Sequence, residues 1–148
     1  MKIKLIFLSF SLFLITGIGF AQKSDGPRSI ISDKVTIKKY HNVEELERMQ
    51  KGEVLALYRE RNKVLTRILP YIAFATKPGV TMVTLGIPTN STNVKALDNQ
   101  LEAADEYVNS TTFFLNEYLP YADTRNLISA ILFYEEILKS LHQFNEFR

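Results

Sequence analysis

Arg61 stands where a charge is least expected. On a helix its direction falls between Leu57 and Val64–Leu65, in the middle of an apolar arc. A guanidinium at such a position either snorkels to the bundle edge along its own aliphatic stem or is paired, because an isolated buried charge is strongly unfavourable. Asp105 is the nearest candidate partner. It interrupts the inward side of another predicted helix, next to Ala104 and Val108. The chemistry expected of the two is a buried or half-buried ion pair that fixes helix register. The functional alternative is an arginine that binds an anion or a partner inside a groove.

Three tyrosines form the other candidate set. Tyr71, Tyr118 and Tyr121 lie at two Leu-Pro-Tyr corners, Leu69-Pro70-Tyr71 and Leu119-Pro120-Tyr121. A tyrosine offers an apolar body with a polar tip, so corners that came together would make a small pocket. The stretches Leu65–Tyr71 and Leu115–Tyr121 echo each other, which suggests a duplicated hairpin with two equivalent corners. The alternative is that leucines pack and prolines end helices.

Other chemistries lack their residues. A ferritin-like metal site needs Glu-x-x-His on facing helices. Here Lys38 stands three before His41, and Lys139 three before His142. No metal and no cofactor are expected. With no cysteine there is neither a thiol nucleophile nor a disulfide, and no lipid-bearing cysteine at a cleavage point. No Gly-x-Ser-x-Gly elbow is present, and the six glycines are scattered rather than gathered into a phosphate-binding loop. Asn90-Ser-Thr and Asn109-Ser-Thr match the glycosylation sequon, a short pattern of little weight. No assembled catalytic set is visible, so the chain is read as a non-enzyme.

Three long helices must hold these residues in place. The first is expected from Asn42, with Glu45 as capping-box partner, to Pro70. Val43, Leu46, Val54, Leu57, Val64, Leu65 and Ile68 recur along it. The second follows the Pro88–Asn93 loop and carries Val94, Leu97, Leu101, Ala104, Val108, Thr111, Leu115 and Tyr118 in steps of three and four. The third is capped by Asp123. Its expected inner face is Leu127, Ala130, Ile131, Tyr134, Ile137, Leu138, Leu141 and Phe144, with Glu135 and Glu136 opposite. Residues 71–88 are read as short helical turns, since the β-branched run from Val80 has no second strand to pair with. The fold class is therefore all-α: an antiparallel bundle of three long helices plus a shorter, broken fourth element.

Residues 1–21 read as a cleaved export signal. Lys2 and Lys4 precede an apolar run from Leu5 to Phe20, and Gly19-Phe20-Ala21 supplies small residues at the cleavage positions. Retention of the run as an anchor is the rival reading, but it is short for a membrane span. Residues 22–41 are expected to be a flexible mature N-terminus, and 42–148 the bundle. Both excess basic residues of the chain, Lys2 and Lys4, lie in the signal. The mature part carries 16 basic and 16 acidic residues. Net charge gives no argument for nucleic acid, and neutrality permits self-association.

The expectation is a periplasmic or secreted, non-enzymatic helical bundle that binds another envelope or secreted protein, as an immunity or inhibitor protein or an envelope assembly factor would. It is not expected to bind nucleic acid or to stay inserted in a membrane after cleavage. The alternative is a small-molecule or lipid binder with an interhelical pocket near Arg61.

Overall fold

The computed structural model describes residues 27–32 and 35–146. The segment read as an export signal lies outside them, as do Phe147 and the side chains of His142 and Phe144. The described chain forms helices α1 (Val43–Glu47), α2 (Lys51–Ile68), α3 (Ser91–Tyr118) and α4 (Thr124–Glu146). One-turn 3₁₀ segments, Leu69–Tyr71 and Leu119–Tyr121, close α2 and α3. The all-α bundle of three long helices with a broken fourth element is what forms.

The caps follow the sequence. The Asn42 side chain accepts from the Glu45 N–H at 2.8 Å, and the Glu45 carboxylate returns to the Asn42 N–H at 3.2 Å. The expected single helix from Asn42 to Pro70 is, however, two. Arg48–Gln50 turn the chain, and α2 starts afresh with the Gln50 N–H held by the Glu53 carboxylate at 2.8 Å. Met49, three residues after Leu46, stays packed on the same cluster through the break. The break lets Leu46 and Val54 both be fully buried.

Residues 71–88 are turns, as expected, with no strand among the described residues. Residues 81–86 make one helical turn that ends in a Schellman motif: Gly86 N–H donates to the Val83 carbonyl at 3.1 Å and Ile87 N–H to the Met82 carbonyl at 2.9 Å. Gly86 has φ +70°, the left-handed conformation such a motif needs and most side chains resist.

The long helices run up, down and up. α2 is the shared neighbour, packed closely on α4 and more loosely on α3, while direct backbone contact between α3 and α4 is slight. The core has two apolar clusters. Leu46, Val54, Leu119, Leu127, Ile128 and Ile131 make one. Val64, Leu65, Ile68, Tyr71 and Leu138 make the other, together with Ile30, Ile31 and Val35 from the N-terminal segment. Residues 22–41 are the stretch expected to be flexible, and within it Ile30, Ile31 and Val35 are buried. Ile31 is fully buried, and the segment is tied down by the Ile30 N–H to the Val80 carbonyl at 2.8 Å and by a single bridge between Ser29 and Thr81. Each buried Ile or Val contributes about 1.5–3 kcal/mol, enough to order a short polar-looking stretch. No helix of the described residues is long and apolar enough to cross a membrane.

Candidate functional site

Between the two apolar clusters lies a charged layer. On α2, Arg61 separates Val54 from Val64 and Leu65. On α4, Glu135 separates Ile131 from Leu138. Arg61 is 1% exposed and Glu135 not at all. The Arg61 Nε and Nη2 donate to the Glu135 Oε1 at 2.9 and 2.8 Å. The same Nη2 donates to the Lys39 carbonyl at 2.6 Å, and Nη1 lies 2.9 Å from the Glu60 Oε2 at the surface.

His41 completes the layer. Its backbone N–H donates to the Glu135 Oε2 at 2.6 Å, and its Nδ1 is 3.1 Å from the Oε1. Nδ1 is also 3.3 Å from the Arg61 Nη2. A carboxylate only accepts, so the tautomer with a proton on Nδ1, donating to Glu135, satisfies the closer contact. Burial alone would raise the Glu135 carboxyl, but the His41 backbone and ring donors and the Arg61 guanidinium outweigh it. They hold the group below the ordinary glutamate range. Tyr40, next in the chain, is pushed the other way, first by burial and then by the Glu135 charge, with Arg61 partly offsetting both.

This arrangement is a clasp. Arg61 has its donors on Glu135, Lys39 and Glu60, and both Glu135 oxygens are occupied. The chain segment Lys39–His41 is thereby fastened across α2 and α4. Charge-assisted bonds of this kind are strong and directional, so the layer sets the register of the two helices. No group of three or more metal-ligating side chains is gathered among the described residues.

The expected pairing of Arg61 with Asp105 does not form. Asp105 is exposed and bonds Arg67 on the outer side of α2. Glu135 takes its place because the inner face of α4 is rotated by roughly 80° from the expected arc, taking 100° per residue. Leu127, Ile128, Ile131, Glu135 and Leu138 face inward, while Tyr134 and Ile137 are only half-buried. Glu135 was legible in principle as the third member of the series 128, 131, 135 and 138.

Nor do the tyrosine corners meet. The Lys51 Nζ, at the start of α2, bonds the Pro120 carbonyl at 2.8 Å, whereas Pro70 follows the end of α2. The corners are therefore a helix length apart, about 27 Å for the 18 residues of α2. Tyr71 is buried in the N-terminal-segment cluster, its hydroxyl without a hydrogen-bond partner. Tyr118 and Tyr121 are 62% and 88% exposed.

The exposed aromatics are the second feature of note. Tyr107, Phe114 and Tyr118 flank the half-buried stripe of α3, with Tyr121 just beyond, and Phe133 is exposed on α4. Phe114 and Tyr118 stack with ring centroids 4.6 Å apart. Beside Arg61, Val35, Glu60, Lys63, Val64 and Arg67 border a cavity of about 130 Å³. Family models, curated proteins and solved structures offer no match to this chain.

Proposed function

We propose that the chain is a non-enzymatic, exported protein-binding module, of the immunity, inhibitor or envelope-assembly kind, and that its partner docks on the aromatic side of α3. The observation that carries this reading is the row Tyr107, Phe114, Tyr118 and Tyr121, left in solvent along and just beyond α3, a helix whose seam with α4 is only slightly packed. Large exposed aromatics are uncommon without a partner, and tyrosine and phenylalanine supply much of the binding energy at protein interfaces. From Tyr107 to Asn116 the helix carries no charged residue. The partner surface that fits is thus an uncharged apolar helix or loop, laid into the seam as in helix-in-groove recognition.

The test is photocrosslinking from benzoylphenylalanine placed at Phe114 and, separately, at Phe133 in the exported chain within living cells. The reading expects one and the same other protein from both positions, and loss of that adduct when Tyr118→Glu is added. No adduct at either position, or adducts only to a second copy of this chain, would remove it.

The small-molecule reading ranks second. The space next to Arg61 is small, and the donors of Arg61 already face Glu135, Lys39 and Glu60. A ligand at that arginine would have to displace a buried carboxylate held by four bonds.

A further inference from the structure

The near-neutral chain hides a segregation of charge. From Arg61 to Leu97 there is no aspartate or glutamate, and from Ala96 to Thr124 there is no lysine or arginine. The first stretch contains the turns that join α2 to α3, at the opposite end of α2 from the Pro120 corner. Those turns expose Ile72, Phe74, Val83 and Leu85, with Phe74 and Val83 at 52% and 58%. Lys77 lies between the two turns and Lys95 at the start of α3. Both are exposed, and neither has a carboxylate partner among the described residues.

The backbone at this end is closed on itself. Phe74 N–H donates to the Tyr71 carbonyl at 2.8 Å, Leu85 N–H to the Thr81 carbonyl at 3.2 Å, and Gly86 and Ile87 complete the Schellman motif. The Phe74 and Leu85 side chains thus project from residues whose own amides are already bonded within the turns, which favours entry into a poorly hydrated layer. Lysine is depleted from protein–protein interfaces, whereas exposed apolar side chains ringed by lysine suit the boundary between lipid headgroups and acyl chains. On α3 and just beyond it the acids Glu102, Glu106, Glu117 and Asp123 lie away from these turns.

We propose that this end of the bundle docks on the surface of an anionic bilayer, with Ile72, Phe74, Val83 and Leu85 entering the headgroup layer and Lys77 and Lys95 at the level of the phosphates. The contact is peripheral, in keeping with the lack of a spanning helix in the described residues. It is independent of the proposed protein partner, whose face lies toward the other end of α2.

The chain has no tryptophan, so one introduced residue reports its own surroundings. Phe74→Trp and, as the opposite-end probe, Tyr121→Trp are made in the full chain and mixed with vesicles of phosphatidylcholine, with or without phosphatidylglycerol. The N-terminal apolar run is common to both and cannot by itself bring one tryptophan into lipid rather than the other. The proposal expects a blue shift and bromolipid quenching for Phe74→Trp on phosphatidylglycerol vesicles, weakened by salt, with Tyr121→Trp unmoved. Adding Lys77→Glu should lower the affinity by at least about fivefold, the effect of one basic residue near such a surface. An unshifted Phe74→Trp, or a shift of equal size on vesicles of phosphatidylcholine alone, would overturn it.

Discussion

Arg61 and Glu135 meet midway along α2 and α4, two nitrogens of the guanidinium on one carboxylate oxygen, with apolar clusters above and below. Removing either partner alone leaves an uncompensated charge in that layer. Arg61→Ala or Glu135→Ala is expected to destabilise the fold by about 3–5 kcal/mol in denaturant unfolding. The double change Arg61→Met with Glu135→Leu should recover most of that loss, because neither charge remains to be solvated. Equal losses for the single and double variants would show that the layer acts through packing rather than charge.

The same carboxylate sets an acid limit. The folded-state value of Glu135 is depressed, so its contribution is present above the unfolded value of about 4.3 and disappears as pH falls through the folded value. Stability should therefore drop as pH is lowered from about 4.3, more steeply in the native chain than in Glu135→Gln. Parallel pH profiles of melting temperature for the two would refute this.

At the alkaline side the relevant group is Tyr58. Burial first, and then its 3.3 Å hydroxyl contact with Tyr134, raise it to about 12. A raised value favours the protonated form in the fold, so this contribution is intact below about 10 and is lost as pH rises toward 12. Tyr58→Phe should flatten that part of the stability profile, followed by circular dichroism from neutral to strongly alkaline pH.

Tyr71 gives a prediction of opposite sign to the usual core change. Its hydroxyl is buried without a partner, a situation that costs about 1–3 kcal/mol. Tyr71→Phe keeps the ring and removes the orphan oxygen, so the melting temperature should stay level or rise. A marked fall would mean that the hydroxyl has a bonding role.

The bundle itself was readable because steps of three and four along α3, and caps at Asn42 and Asp123, are local signals. The Asp123 side chain indeed accepts from Arg125 N–H at 2.7 Å. The partner of Arg61 was less readable, since Glu135 and Glu136 are adjacent and a wide apolar arc can be centred to exclude either. Asp105 lies beside Ala104 and Val108 in sequence, yet long-range pairing depends on how each helix is rotated about its axis. The N-terminal segment was illegible for another reason. Ile30, Ile31 and Val35 have no periodicity, and only the groove formed by distant residues such as Val80 and Leu138 gives them a place.

Ile31 measures how much that segment matters. It is fully buried at the edge of the cluster that also holds Ile68 and Tyr71, while the neighbouring Ser32 faces solvent. Ile31→Ala should cost about 2–5 kcal/mol if the segment folds as one unit with the bundle. Lys38→Ala, at an exposed position of the same segment, should stay within about 0.5 kcal/mol, as surface changes do. If both variants unfold at the native midpoint in denaturant, the segment is an appendage. The Lys39–His41 contacts to Arg61 and Glu135 would then be consequences of the bundle rather than part of what holds it together.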